Sequence, residues 1–309
     1  RNIPKRFSKS RAKQIKNNLA PAGEENNGMS EVVASHDGRF NVVTWNMLVD
    51  KTRQRKGLIL PQHVRLAGHI ATLQAFEGSL DVVGVQEAIR DEGIHCGRAL
   101  AKALGFTDSH FYKHNKPPLF APKKGRRGRK NEYIGVFGEQ VHDATPIYIG
   151  DRRVAVKTMI GSTAIVSFHL RQGRENRSVR IEQADEILNA VADYDQVVLL
   201  GDTNENWSSP ARQAMYDEGF ESAFMLKHGE LPVTYPTPEY HEVMYTDQSG
   251  NQKPPVSIDD IAVRGLTVVN CGILDQASLE LTEQDDSSPV PRTPSDHYAL
   301  WATLEPFAA

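Results

Sequence analysis

The chain has 309 residues and a formal net charge of -3; 39% of its residues are hydrophobic and 24% are charged. This composition is typical of a globular protein, which argues against a disordered, collagen-like or membrane-embedded chain, and the length suffices for one large α/β domain or two small ones. The sequence has no apolar run of about 18 residues and no apolar N-terminal segment, so it predicts neither a transmembrane span nor a signal peptide and leaves the compartment open.

Residues 1–38 are predicted to form a flexible N-terminal tail, because they are polar and lack a sustained hydrophobic period. Residues 1–16 contain seven Lys and Arg residues and no acid, and a second basic segment, residues 122–130, contains six. The rest of the chain therefore carries a net charge of -16. Two basic segments on an acidic body indicate contact with a polyanion, although a solvated tail and a solvated loop would have the same composition.

Residues 39–309 are predicted to form one domain in which strands alternate with helices, as in mixed α/β proteins. The first strand is FNVVTWN (40–46), and a helix follows from about Pro61 to Phe76. We expect the apolar positions of this helix to form its buried face; they are Val64, Ala67, Ile70 and Leu73. Further strands are predicted at 81–85, 133–137, 152–159, 163–168, 197–200, 258–263, 267–273 and 297–304, and further helices at 97–104, 178–192 and 209–218.

Polar side chains stand where these predicted strands begin or end. They are Asn46, Glu87, His169, Asp202, Asn204, Asp259, Asp296 and His297. Each of them alone is more often a turn or cap residue, but together they are expected to line one rim of a sheet, where α/β folds place ligands.

The chemistry of this set favours a hard divalent cation. Carboxylate and amide oxygens suit Mg²⁺ or Mn²⁺, whereas zinc is less natural at a rim that offers two histidines and no cysteine. The histidines could stabilise or protonate a phosphoryl group, and Asp202 with Asn204 could hold and deprotonate a water. The two cysteines of the chain, Cys96 and Cys271, are expected to be free thiols, with a single bridge left open.

The order of the motifs is similar to that of a known superfamily. TWNM, VQEA, SFHL, GDTN, SIDDIAV and SDHYAL stand in the order of the endonuclease/exonuclease/phosphatase superfamily, and the resemblance covers about residues 39–305. It implies a DNase I-like fold: a four-layer α/β sandwich in which two packed mixed β-sheets are flanked by helices. It also implies a catalytic domain over residues 39–309 that hydrolyses phosphoester bonds with the help of a metal ion.

The resemblance implies a metal side of the site. Glu87 resembles the principal Mg²⁺ ligand, with Asn46 close by, and Asp296 resembles a further carboxylate on the metal side. At Asp260 the sequence departs from the superfamily, which often has an aromatic residue or an arginine there.

The resemblance also implies a phosphate side. Asp202 resembles the residue that activates the attacking water, and Asn204 the residue that orients it. His169 stands where the superfamily contacts phosphate. His297 resembles the catalytic histidine, and Asp259 resembles its orienting partner.

The second basic segment bears on the substrate. Six cations within nine residues could bind several phosphates, and they precede a strand that is expected to start beside the rim. The predicted substrate-binding residues are Lys123, Lys124, Arg126, Arg127, Arg129, Lys130 and Tyr133. We therefore expect a monomeric nuclease or phosphodiesterase acting on DNA or RNA, without stable membrane insertion. Two alternatives remain: a hydrolase acting on a phospholipid head group or small phosphoester, and a catalytically silent nucleic-acid-binding module.

Overall fold

The computed structural model describes residues 38–48, 54, 58–91, 93–114, 132–244, 254–279 and 290–307. The predicted N-terminal tail and the second basic segment (residues 122–130) therefore lie outside the described residues, and both remain predictions. Within the described residues, no helix is long and apolar enough to cross a membrane.

Two β-sheets form the centre of the fold. The strands of the first sheet are β1 (Phe40–Asn46), β2 (Val82–Asp91), β3 (Ile94–His95), β4 (Ser109–Lys113), β5 (Glu132–Phe137), β12 (Leu266–Leu274) and β13 (Ala299–Pro306). Those of the second are β6 (His142–Tyr148), β7 (Val154–Ile160), β8 (Thr163–His169), β9 (Val197–Asp202), β10 (Glu221–Ser222) and β11 (Asp259–Arg264). The first sheet has the strand order β12-β13-β1-β2-β5-β4, with β3 paired to β2, and the second has the order β10-β11-β9-β8-β7-β6. Both are mixed, because β1 pairs with β2 and β8 pairs with β9 in parallel while the other pairs are antiparallel.

Four of the six helices cover the outer faces of the two sheets. They are α1 (Gln62–Gln74), α2 (Cys96–Ala103), α3 (Arg177–Ala190) and α4 (Pro210–Asp217). The other two are α5 (Ala223–His228), whose first two side chains pack in the core between the sheets, and α6 (Pro238–Met244), whose Tyr240 packs with Leu48 and Ile59. Buried side chains of α1 and α2 pack on the first sheet, and those of α3 and α4 pack on the second. The four layers are therefore helix, sheet, sheet, helix, which confirms the predicted DNase I-like architecture.

The alternation of side chains along each strand explains why the strands are almost continuously apolar. Val42 of β1 packs in the core between the two sheets, whereas its neighbour Val43 packs against the helices on the outside. Strands that are covered on both faces need apolar residues at every position, unlike strands with one face in water. The sequence therefore identified the central strands best.

The peripheral elements were not predicted from the sequence; they are the strands β3, β4, β6 and β10 and the helices α5 and α6. All four of these strands are edge strands, because β4, β6 and β10 end the strand orders and β3 pairs only with β2. The strand β6 also contains Pro146 and two exposed residues at its start. Edge strands tolerate proline and polar residues because one side of the strand has no partner strand, so their hydrophobic signal is weak.

The predicted buried face of α1 was only partly correct: Leu73 is buried and Ile70 packs, partly buried, against the same core, but the main buried stripe lies elsewhere. The helix buries a stripe that includes Arg65, His69 and Thr72, whereas Ala67 is exposed. Apolar residues spaced by three drift around a helix of 3.6 residues per turn, and the buried stripe of α1 contains polar side chains that a hydrophobic pattern cannot identify.

His69 makes the stability of the fold depend on pH. Its Nδ1 lies 2.7 Å from the carbonyl oxygen of Arg65, and its ring packs on Trp45. Burial, followed by the charge of Arg65, lowers the pKa of His69 from 6.5 to about 3. The unfolded chain therefore binds a proton below pH 6.5 that the folded chain refuses, so stability is full above pH 6.5 and falls as the pH drops towards 3.

We expect the substitution His69→Phe to remove this part of the acid sensitivity. The wild type should lose, through this residue, on the order of 5 kcal/mol of unfolding free energy between pH 6.5 and 3. Urea titrations at several pH values measure the difference between the two proteins. The matched change His142→Phe, at an exposed position of β6, should leave the pH dependence as in wild type. Parallel curves for wild type and His69→Phe would contradict the prediction.

Candidate active site

The strand register of the second sheet brings three predicted site residues into one row. His169, the last residue of β8, lies opposite Asp202 at the end of β9, and Asp202 lies opposite Asp259 at the start of β11. His169 Nε2 is 3.5 Å from Asp202 Oδ2. The three side chains are almost completely buried. Regular hydrogen-bonded strands therefore fix their relative positions.

Asn46 joins this row from the first sheet. It ends β1, and its side-chain Nδ2 donates a hydrogen bond of 3.1 Å to Asp202 Oδ2. Its Oδ1 accepts a 3.0 Å hydrogen bond from the backbone N–H of Leu48. The amide thus connects the ends of the two sheets, with its orientation fixed by the chain that follows β1.

Glu87 reaches the cluster through a β-bulge in β2. The register between β2 and β5 shifts between Val85 and Ala88, and Glu87 has φ of 55°. A bulge turns a side chain away from the regular alternation, and positive φ at a residue with a Cβ costs about 1–3 kcal/mol. Glu87 Oε1 accepts a 2.9 Å hydrogen bond from Gln172 and lies 4.0 Å from His169 Nε2.

Asn204 is the second strained residue of the site. It has φ of 54°, and its backbone N–H donates a 2.7 Å hydrogen bond to Asp202 Oδ1. Its side-chain Nδ2 donates to the carbonyl oxygen of Leu170 at 3.0 Å. This local turn fixes the carboxylate of Asp202 through Oδ1, while Asn46 holds Oδ2.

His297 is held between acidic groups. Its Nδ1 lies 2.9 Å from Asp259 Oδ2, and its Nε2 lies 3.8 Å from Asp296 Oδ1 and 4.0 Å from Asp202 Oδ2. The ring of Tyr235, which the sequence analysis did not single out, packs on the imidazole with 4.6 Å between ring centroids. The arrangement orients Nε2 of His297 towards the middle of the cluster.

The acidic neighbours change the proton affinity of the site. Burial, followed by the charge of Asp259, raises the pKa of Asp202 to about 7. Burial by itself would lower the pKa of His297, but Asp259, Asp296 and Asp202 together raise it to about 10. These acidic neighbours therefore favour the imidazolium form of His297, in which both ring nitrogens donate hydrogen bonds.

The carboxylate of Glu132 lies beside His169, and it was not predicted as a site residue from the sequence. Glu132 Oε1 is 3.6 Å from His169 Nδ1 and accepts a 3.2 Å hydrogen bond from Arg153. The glutamate opens β5, and the side chains of Glu132, Arg153 and His169 are buried. The available sequence signal for Glu132 was an acidic residue at the start of an apolar strand. This signal points to the site only if β5 packs against the second sheet, which the sequence does not specify.

Two groups of side chains have donor atoms close enough for a metal ion. In the group of Asp202, Asp259 and His297, and in that of His114, Glu132 and His169, the donor atoms lie within 4.8 Å of one another. The second group is unsuited to a metal. Its His114 accepts a 3.2 Å hydrogen bond at Nδ1 from the backbone N–H of Val154, which places the ring proton on Nε2, the other possible donor atom.

The larger cluster has the donor chemistry that a hard divalent cation requires. It combines the carboxylates of Glu87, Asp202, Asp259 and Asp296 with the amide of Asn46, and all five residues are buried. Buried carboxylates outnumber the imidazoles here, and buried charge is costly unless it is compensated. Oxygen donors of this kind fit Mg²⁺ or Mn²⁺.

The structure thus brings all eight strand-end residues into one connected cluster, but it does not bring Tyr133 there. Tyr133 lies on the opposite face of β5 from Glu132, and its ring packs 4.3 Å from that of His95 on the outer side of the sheet. The predicted basic side chains of residues 123–130 lie outside the described residues. Both thiols, Cys96 and Cys271, are buried and free, as expected.

A buried arginine holds the two chain segments that flank the cluster on the side of the first sheet. Arg65 of α1 donates hydrogen bonds to the carbonyl oxygens of Met47 (3.0 Å) and Leu48 (2.8 Å), just after β1. It also donates to the carbonyls of Pro294 (2.9 Å), shortly before β13, and Leu60 (3.2 Å). One guanidinium therefore fixes the spacing of the segments that carry Asn46 and Asp296.

No protein-family model matches the sequence, and no curated protein matches it significantly. Solved structures do match. An endonuclease/exonuclease/phosphatase from Bacteroides vulgatus is 18% identical, with a TM-score of 0.61 over 86% of this chain and 98% of its own. The catalytic domain of human nocturnin, solved with a bound sulfate anion, is 16% identical, with a TM-score of 0.54 over 87% and 95%. D. rerio TDP2, solved with a single-strand DNA product, is 16% identical, with a TM-score of 0.56 over 87% and 100%. These similarities confirm that the chain has the fold of the endonuclease/exonuclease/phosphatase structures.

We expect Arg65→Met to lower the unfolding free energy by about 3 kcal/mol or more, because it leaves several buried carbonyls without a donor. It should also weaken the binding of Mn²⁺, measured by electron paramagnetic resonance, since it frees the segments carrying Asn46 and Asp296. The control is Arg264→Met. Arg264 also donates to three carbonyls, those of Val191, Tyr194 and Glu218, but stands at the far end of β11. It should lose stability and keep its Mn²⁺ affinity; an equal loss of affinity in both variants would argue against a positioning role.

Proposed function

We propose that this protein is a metal-dependent phosphodiesterase that hydrolyses DNA or RNA by in-line attack of an activated water on phosphorus. The observation that carries the proposal is the buried cluster in which Asp202 and the Asp259–His297 pair stand side by side. It offers a base and a hydrogen-bonded cation within 4.0 Å of each other. The shared fold agrees with this chemistry but does not select a substrate.

In this proposal Asp202 accepts the proton of the attacking water. A carboxylate is an efficient general base when its pKa lies near the working pH, and burial moves Asp202 in that direction. Asn204 and Asn46 hold the two oxygens of this carboxylate in place. The base therefore needs no reorganisation when the water arrives.

His297 stabilises the negative charge that develops on the phosphoryl oxygens. Asp259 fixes its Nδ1, so the N–H at Nε2 is available to a phosphoryl oxygen. His169, flanked by Glu132 on its Nδ1 side, presents Nε2 to the same space. Two imidazoles, each with its own carboxylate, would then hold the phosphate, one from the end of β8 in the second sheet and one from the segment before β13 of the first.

Glu87, Asn46 and Asp296 are the residues that would hold the divalent ion. The bound ion would supply Lewis-acid charge next to the scissile phosphate. Glu87 comes from β2, Asn46 from β1 and Asp296 from the segment before β13. The spacing of Asn46 and Asp296 depends on the contacts of Arg65 described above.

The case for a nucleic acid as substrate rests on the second basic segment (residues 122–130). The residues flanking the undescribed stretch, His114 and Glu132, are joined by a 3.0 Å backbone hydrogen bond. The rings of His114 and His169 are 6.4 Å apart. The two ends of the undescribed stretch therefore lie beside His169, and the six cations stand between these ends in the sequence. The likeness to a TDP2 solved with a single-strand DNA product agrees with this choice.

Metal-dependent cleavage is the first test. With Mg²⁺ or Mn²⁺, the protein should cleave oligonucleotides or nick plasmid DNA, and EDTA should stop the reaction. Asp202→Asn and His297→Ala should each lower kcat by about 10²–10⁴-fold, the range typical of a lost general base or acid. Asp185→Asn, the same change at an exposed position of α3, serves as the control. Retention on DNA with no cleavage of any ester by wild type would favour the silent binding module.

The polyanion assignment has a separate test. Replacing Lys123, Lys124, Arg126, Arg127, Arg129 and Lys130 with Gln should make nucleic-acid binding less dependent on salt, because fewer counterions are released per complex. The slope of log K against log salt concentration, measured by fluorescence anisotropy, reports the change. A control variant with the same change in charge replaces six N-terminal cations with Gln; they are Lys5, Arg6, Lys9, Arg11, Lys13 and Lys16. An unchanged slope in the first variant would favour a small phosphoester or a lipid head group as substrate.

A further inference from the structure

The loop between β9 and α4 presents an unusual side chain beside the cluster. Trp207 has 62% of its surface exposed, whereas tryptophans are highly buried on average. Its neighbours in the loop, Asn206 and Ser208, are polar and also exposed. The indole is therefore an isolated aromatic surface in a polar loop.

This loop is fastened to the rim of the second sheet. Arg180 of α3 donates from Nη2 to the carboxylate of Glu205 and from Nη1 to the carbonyl oxygens of Arg171 and Gly173, both at 2.7 Å. The hydroxyl of Thr203 donates to the carbonyl oxygen of Glu205 at 2.8 Å. The base of the loop is thus held against the segment that follows β8.

The same contacts place the base of this loop near the reacting groups. The segment after β8 contains Gln172, which donates to Glu87. Trp207 is also only three residues from Asn204, so their Cα atoms lie within about 11 Å of each other, the length of an extended chain. The backbone of Trp207 therefore lies on the same rim as the cluster, at a distance that a nucleotide next to a bound phosphodiester can span.

We propose that Trp207 is a stacking platform for an unpaired nucleobase adjacent to the scissile phosphodiester, and that the enzyme therefore prefers single-stranded DNA or RNA. The inference rests on the proposed nuclease function. An indole face accepts any base, because every base has a π-face, but a base inside a duplex is already stacked on both sides. The platform therefore discriminates single strands from duplexes rather than one base sequence from another.

A nucleobase suits this surface better than a lipid or a protein partner. Membrane surfaces are bound by broad apolar faces, whereas Trp207 is the one large apolar side chain among residues 203–209, all of which are described. Protein interfaces surround an aromatic anchor with further contacts that exclude water. A single flat aromatic ring among polar residues matches the stacking surfaces of single-strand-binding proteins.

Tryptophan fluorescence gives a readout that does not depend on turnover. The chain has three tryptophans, and Trp45 is 1% exposed while Trp301 is partly buried against Phe76. With EDTA present, titration with a single-stranded oligonucleotide should quench the emission of wild type. The quenching should be lost in Trp207→Phe. A quench that persists unchanged in Trp207→Phe would overturn the proposal.

Kinetics with Mg²⁺ give the second readout. Trp207→Ala should raise KM for a single-stranded oligonucleotide by about 5- to 150-fold, which corresponds to the loss of one stacked base. The value of kcat should change much less, and Trp207→Phe should recover most of the affinity. Phe307→Ala is the control. Phe307 is 58% exposed and follows β13 at the end of the strand away from His297, so its loss should leave KM unchanged.

An abasic substrate separates stacking from other effects. If the indole binds a base, Trp207→Ala should have no further effect on an oligonucleotide that lacks the bases flanking the cleaved bond. An equal rise of KM for intact, abasic and duplex substrates would overturn the proposal, as would quenching by phosphatidylserine vesicles but not by oligonucleotides. Failure of the proposed function would look different, because wild type would then cleave no phosphodiester even where the oligonucleotide quenches Trp207.

Discussion

The burial of several carboxylates at one point between two sheets is the constraint on which the rest of the structure depends. Asp202, Asp259 and Asp296 are each at most 3% exposed, and Glu87 is 4% exposed. Charge in such a place is costly unless imidazolium, amide or metal groups compensate it. The raised pKa of His297 and the hydrogen bond from the amide of Asn46 to Asp202 compensate part of this negative charge. A divalent cation would compensate the rest.

The fold meets this constraint with rigid supports rather than with flexible ones. The side chain of Asn46 bonds across the two sheets to Asp202, and the Ser295 hydroxyl donates to the Asn46 carbonyl at 2.6 Å. Arg65 adds bonds to the chain on both sides of that contact. Three residues, Leu48, Glu87 and Asn204, adopt positive φ within this frame. Strain of this kind persists only where the surrounding contacts determine the conformation, and here it aims one carboxylate and fixes another.

The departure at Asp260 shows how the fold separates the charge of the cluster from structural charge. Asp260 follows Asp259 directly, so the two side chains point to opposite faces of β11. The Oδ2 of Asp260 is 3.9 Å from Arg212, and its Oδ1 accepts a 2.7 Å hydrogen bond from Ser222. The additional carboxylate therefore belongs to the helix-facing layer. Arg212 also donates to the backbone carbonyl of Asp259 at 3.1 Å, which connects that layer to the strand that carries Asp259.

Site residues at the ends of strands could be predicted from the sequence, but those whose contacts depend on the packing of the sheets or the folding of a loop could not. Asp202 and His169 could be found because each follows an apolar run, and the ends of such strands meet at one rim. Glu132 and Tyr235 could not, since their contacts with the two histidines depend on how the sheets pack and how a loop folds back. The same limit explains the error in the buried face of α1, because Arg65 is buried through hydrogen bonds to carbonyl groups that are distant in the sequence. A hydrophobic period in the sequence identifies apolar side chains that are buried away from water. It cannot identify polar side chains that are buried because they have hydrogen-bond partners.

The chemistry and the choice of substrate are located in different parts of the chain. The cluster would serve a phosphoester of any kind, because the contacts proposed for it are only with the phosphate, the water and the metal. Selection must come from groups outside the cluster, and two features of the chain point the same way. The second basic segment has the charge to bind successive phosphates, and the β9–α4 loop offers an aromatic face to a base. Phosphates alone would also be offered by a lipid surface, and a lone indole would also suit other partners. The two features together describe a nucleic acid with unpaired bases.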